Sequence, residues 1–171
     1  MPVEVQVPLL LKILSFDRSQ SGPESGPLVM GVVFQGRNRA SLRIGEEIHD
    51  RLTAAGRGSA AGRSIRVVLI DLDQTDDLRA TLIRDSIRVV YVAPLRGVEI
   101  STVAAATRER LVVTLTGVPR YVLEGIAVGL DVNGPRPQIV INLAASRASG
   151  AVFSAQLLKV ARLTDRDTLT P

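Results

Sequence analysis

Leu28-Val29-Met30-Gly31-Val32-Val33-Phe34 is a run of seven residues without one polar side chain. Alternate residues of a strand point to opposite faces, so a strand that is apolar at every position must be covered on both sides. That places it inside a parallel sheet rather than on a half-solvated one. Residues 65–72 (IRVVLIDL), 89–93 (VVYVA) and 111–115 (LVVTL) have similar character. Between these runs lie segments of helical pattern. The first covers about residues 39–55, with Leu42, Ile44, Ile48 and Leu52 on one side; the second ends near Asp85; the third covers about residues 98–110. Strands that alternate with helices predict an α/β fold with a mainly parallel central sheet flanked by helices.

The last third of the chain departs from that rhythm. Residues 126–132 and 138–143 are joined by Asn133-Gly134, a hairpin signal, and predict a C-terminal antiparallel strand pair. Pro135 and Pro137 imply that this pair is loosened or sits at a sheet edge. Residues 137–162 then read as a strand closed by Asn142, a small-residue helical turn over 144–148, a break at Gly150, and a second short helix capped by Ser154. That last helix presents Leu157, Leu158, Val160 and Ala161. At the other end, residues 5–17 predict an amphipathic packing helix with Pro8 near its first turn and Leu10, Leu11, Leu14 and Phe16 toward a core. Residues 19–26 and 56–62 read as loops. One domain is expected over residues 1–163, followed by a polar tail at 164–171.

Composition excludes several classes of function. The 171 residues contain no cysteine, so there is no disulfide framework, thiolate metal site or thiol nucleophile. Nineteen of the 21 basic residues are arginine and the net charge is +4, yet the arginines are scattered and only five aromatic residues exist to stack bases. Nucleic acid is therefore not an expected partner. No run of 18 residues is free of charge, so no transmembrane helix is expected. The start, Met-Pro-Val-Glu, lacks a basic region, and Lys12 interrupts the apolar run behind it. It is not a signal peptide, so either the chain is cytoplasmic or a leader has been removed.

No residue pattern announces catalysis, a cofactor or a metal. His49, the only histidine, sits among Glu46, Glu47 and Asp50 on an exposed helical face without a second histidine. Asp71, Asp73, Asp76 and Asp77 lack the glycine and closing glutamate of a calcium loop and fit a strand end and a helix start. No Gly-x-Ser-x-Gly elbow is present. What remains is loops at strand carboxyl ends, where α/β proteins bind ligands. These are Gln35, Gly36, Arg37, Asn38 and Arg39 after the first strand, Pro94 with its neighbours Ala93 and Leu95 after the third, and Thr116 and Gly117 before Val118-Pro119 after the fourth. Arg37 and Arg39 are suited to an anion.

Several segments together resemble one known family. Glu124-Gly125-Ile126-Ala127-Val128-Gly129-Leu130 is similar to a glycine-flanked strand, Ile141-Asn142-Leu143-Ala144-Ala145 to a strand–helix junction, and Phe153-Ser154-Ala155-Gln156-Leu157-Leu158-Lys159-Val160-Ala161 to the final helix of the YfiR/HmsC-like family of small periplasmic proteins. Residues 111–116 and Lys12-Ile13-Leu14-Ser15-Phe16 fall where that family has a strand and its N-terminal helix. The resemblance implies a non-enzymatic periplasmic regulator, its leader removed. It would bind and restrain a membrane-anchored signalling protein, a diguanylate cyclase or a sensor kinase, and so limit cyclic-di-GMP output and biofilm. A homodimer is compatible with it. The cysteines through which some relatives are redox-controlled have no counterpart here, and the N-terminal helix has no aromatic residue but Phe16. The alternative reading is a small-ligand-binding sensor module that uses the strand-end loops.

Overall fold

A computed structural model describes residues 1–20, 26–56, 63–132 and 136–165. The elements run α1 (Val3–Ser15), β1 (Leu28–Phe34), α2 (Arg39–Ala55), β2 (Ile65–Asp71), α3 (Leu78–Arg84), β3 (Val89–Val92), α4 (Ile100–Arg108) and β4 (Val113–Thr116). A 3-10 turn at Pro119–Glu124 leads to β5 (Val128–Val132), β6 (Pro137–Asn142), α5 (Leu143–Ala148), α6 (Ala155–Val160) and β7 (Arg162–Thr164). The seven strands form one sheet in the order β2-β1-β3-β4-β5-β6-β7. Every neighbouring pair is parallel except β5 and β6. This is the expected mainly parallel α/β architecture with a C-terminal antiparallel pair.

The alternation of side chains along β1 and β3 builds a core on each face. Leu28, Met30, Val32, Phe34, Val89 and Tyr91 pack with α1 and α2, against Val7, Leu10, Leu14, Ile48 and Leu52. Val29, Val33, Val90 and Val92 pack on the opposite face with α3 and α4, against Leu82, Ile100 and Val103. Gly45 of α2 lies where a Cβ would come within 2.9 Å of the Phe34 side chain, so the missing side chain sets how closely α2 approaches β1. The first helix is held by a buried polar contact as well. Tyr91 donates its hydroxyl to Gln6 Oε1 at 2.7 Å, and Gln6 Nε2 donates to the Met1 carbonyl. Burial pushes the Tyr91 phenol well above its ordinary range; its hydrogen bonds with Gly117 and Gln6 offset only part of that.

The segments that follow α1 and α5 meet. Asp17 is fully buried. Its Oδ1 accepts from Ser19 N–H, the Ser19 hydroxyl and Val152 N–H, and its Oδ2 from Gln20 Nε2. Arg18 N–H donates to the Val152 carbonyl and Ser154 N–H to the Phe16 carbonyl. The segment after α1 is thereby sewn to the loop between α5 and α6.

Several local expectations shift. Pro8 lies inside α1, at its sixth position, because the helix begins at Val3 behind Pro2. Glu4, whose carbonyl loses its partner there, is exposed to water. Leu111 belongs to the turn that closes α4, with φ at 52°, and β4 starts two residues later. Asp77 caps α3 by accepting from Ala80 N–H, so Asp76 and Asp77 precede the helix rather than sit in its first turn. Gly150, with φ at 76°, and the Ser154 cap do separate α5 from α6. Leu157 is buried in the last helix, Leu158 only half-buried, and Val160 71% exposed. An additional strand that the sequence did not suggest, β7, pairs with β6 through Val140–Arg162, Ile141–Leu163 and Asn142–Thr164, and so reaches the first residue of the expected tail. Pro137 opens β6 beyond the reach of β7, where the missing N–H breaks no ladder. Residues 21–25 and 57–62 of the expected loops, the Asn133-Gly134-Pro135 turn and tail residues 166–171 lie outside the described residues.

Candidate functional site

β1 is flanked by β2 on one side and β3 on the other, and the helices that follow these strands cover opposite faces. The loops leaving β1 and β3 therefore diverge at the carboxyl edge of the sheet and leave a crevice, the place where open α/β sheets bind ligands. Gln35 spans it. Its side-chain amide donates to the Arg96 carbonyl at 3.0 Å and accepts from Arg96 N–H at 2.7 Å, locking the two loops together. From the other side the end of β2 grips the same loop: Gly36 N–H donates to Asp71 Oδ1 at 2.8 Å and Arg37 N–H to Asp73 Oδ2 at 2.7 Å. Asn38 caps α2, its Oδ1 accepting from Ala40 and Ser41 N–H. The aspartates expected at a strand end and a helix cap thus also shape the loop after β1.

Two hollows open along this crevice. The first, about 490 Å³, is lined by Gln35, Arg37, Asn38, Arg39, Asp73 and Arg96, with Ala40 at the helix start. The second, about 350 Å³, shares Asn38, Ala40 and Arg96 and continues over Pro94, Leu95, Gly97, Arg120 and Glu124. Its floor is fixed by Tyr121, whose hydroxyl accepts from Leu95 N–H at 2.8 Å and donates to the Leu95 carbonyl. Arg120 lies over the Tyr121 ring, 5.4 Å from its centroid. Arg37, Arg39, Arg96 and Arg120 are all exposed. Arg51, Arg79, Arg84 and Arg162 form ion pairs, and none of these four lines the crevice.

Of the residues singled out in the sequence, Gln35, Arg37, Asn38, Arg39 and Pro94 come together at these hollows. Gly36 sits on the far side of its loop, toward Asp71, in a separate hollow with Leu42 and Gln74. Thr116 and Gly117 do not line the crevice. Thr116 is buried, donating its hydroxyl to the Val92 carbonyl and accepting from Val118 N–H. Gly117 lies against the Gln6 side chain of α1, on the other face of the sheet. Arg96 and Arg120 are lining arginines that local pattern did not single out. The one available signal was that Arg96 follows Pro94-Leu95 at a strand's carboxyl end. His49 lies on the surface of α2 beside Asp50, 2.9 Å away. The crevice offers guanidinium donors and apolar floor, an arrangement that binds and orients.

Comparison with known proteins adds the following. The pattern of the family described as YfiR/HmsC-like matches residues 4–162. A conserved domain protein from Vibrio cholerae superposes with a TM-score of 0.60 at 15% identity, the match covering 96% of this chain and 60% of that one. The ABC domain in complex with L-Trp from Streptococcus pneumonia superposes with a TM-score of 0.63 at 11% identity, covering 90% of this chain and 59% of that one. These likenesses establish the fold, and the chain spans about 60% of the length of the solved structures it matches. No curated protein matches it.

Proposed function

The chain belongs to the YfiR/HmsC-like family, and on that premise we propose that it is a non-enzymatic periplasmic regulator. It binds the extracytoplasmic part of a membrane-anchored signalling protein, a diguanylate cyclase or sensor kinase, and restrains cyclic-di-GMP output. The observation that carries this reading is the family match over nearly the whole chain. A surface suited to a protein partner supports it. At the β7 edge, Leu123 and Leu163, 43% and 44% exposed, line a hollow with Pro119 and Val140, rimmed by Arg120 and Arg162. Exposed apolar side chains beside arginine are a usual composition for the centre of an interface. No helix among the described residues is long and apolar enough to cross a membrane. Export by a leader ahead of Met1, and a single folded unit over the described residues, belong to the same proposal.

The test is recovery of a membrane partner with the tagged protein, together with cellular cyclic-di-GMP in a deletion strain. A cyclase or kinase should copurify, Leu163→Asp should abolish the association, and deletion should raise cyclic-di-GMP. Unchanged cyclic-di-GMP with no membrane partner recovered would sink the proposal.

A second reading has its own support: the Gln35–Arg96 clamp fixes the shape of the crevice between β1 and β3, which suits it to a small ligand. Ligand occupancy and partner binding are compatible in one molecule. A metabolite screen by thermal shift tests it, and a saturating ligand at a hundredfold excess over its Kd stabilises by about 2.7 kcal/mol.

A further inference from the structure

We propose that the crevice binds a small organic dicarboxylate, one carboxylate in each hollow, with Arg96 serving both. This deepens the ligand-binding reading above and rests on it. Four guanidinium groups from three separate segments line the two hollows: Arg37 and Arg39 after β1, Arg96 after β3 and Arg120 after β4. They face two lining carboxylates, Asp73 in the first hollow and Glu124 in the second. Asp73 already accepts from Arg37 N–H. The balance in the crevice favours an anion.

The kind of anion follows from which donors are left. Phosphate sites in α/β folds rely on free backbone N–H groups at a helix start or in a nest. Here most of those groups are occupied. Gly36 and Arg37 N–H go to Asp71 and Asp73, Ala40 and Ser41 to Asn38 Oδ1, and Leu42 to the Asn38 carbonyl. Across the crevice, Arg96 N–H goes to Gln35 and Leu95 N–H to Tyr121. The remaining donors are chiefly guanidinium forks, whose planar paired N–H groups match a carboxylate bidentately. Two hollows that share one arginine suit two such groups on a short chain. The clamp between Gln35 and the Arg96 backbone holds the shared residue in place before a ligand arrives, which lowers the ordering cost of binding.

The experiment is titration calorimetry and thermal shift on the whole protein with succinate and glutarate, at constant ionic strength. Acetate, inorganic phosphate and a library of neutral metabolites are the comparison ligands. A dicarboxylate should bind saturably, and acetate and phosphate should do no better than chloride. Arg96→Gln should weaken dicarboxylate binding by about tenfold or more, and Arg147→Gln, on α5 and outside both hollows, should leave it unchanged. Ala40→Trp fills the space common to both hollows from an exposed position and should abolish binding. Equal affinity in the Arg96 variant, or a preference for phosphate, overturns the proposal. If a neutral compound binds the parent but not the Ala40 variant, the ligand reading stands and the dicarboxylate assignment falls. If nothing binds, both fall.

Discussion

Single side chains carry much of what fixes α1 to the sheet. Tyr91 and Gln6 are both buried, and the hydroxyl is the donor that satisfies Gln6 Oε1. Tyr91→Phe should therefore cost about 1–3 kcal/mol, the penalty for a buried acceptor left without a partner, read from urea denaturation. The same phenol gives a pH dependence of definite sign. Its folded-state pKa is raised by burial. Below the ordinary phenol value of about 10 both states keep the proton and stability is unaffected. Above it the unfolded state loses the proton first and so binds fewer protons. Stability then declines as pH rises through the folded-state value. Urea midpoints should fall from about pH 10 upward, and Tyr91→Phe should flatten that fall. At this scale the sequence was least legible. Arg96 stands alone in a loop and carries no periodicity. Its place opposite Gln35 depends on β1 and β3 being neighbours, which no local pattern encodes. Thr116 and Gly117 stood at the right end of a strand, but which face of the sheet their side of the loop would meet depended on where α1 packs.

Elements were legible in proportion to how strongly burial dictates their composition. β1 and α2 span the residues expected from sequence, because one is buried throughout and the other alternates with the helical period. β7 was hidden because three residues, Arg162-Leu163-Thr164, are too few to show a period, and it is held by its ladder to β6 and by the Arg162–Asp131 ion pair. The last helix was legible in position but not in orientation. Leu157 faces the core and Leu158 is half-buried, so Leu157→Ala should cost about 2–5 kcal/mol and Leu158→Ala clearly less. Equal losses in thermal denaturation would contradict this placement of α6. Leu111 gives a prediction of opposite sign. A branched side chain with φ at 52° is strained, and this one is 61% exposed, so little burial is lost on its removal. Leu111→Gly should stabilise the protein by about 1 kcal/mol, read from the same transition.

For the molecule as a whole, the sheet is continuous from β2 to β7 and both of its faces are covered by helices from different parts of the chain. Unfolding should accordingly be one cooperative transition, with calorimetric and van't Hoff enthalpies in agreement. The contact between Asp17 and Val152 has a consequence in time. The carboxylate at position 17 is fully buried, and one of its donors is made 135 residues later. In a growing chain the segment behind α1 is made well before Val152 and cannot be sealed until the α5–α6 loop has left the ribosome. A chain arrested at residue 150 should lose α1 to limited proteolysis that spares it in the 171-residue chain, so an early helix owes its protection to a loop made long after it.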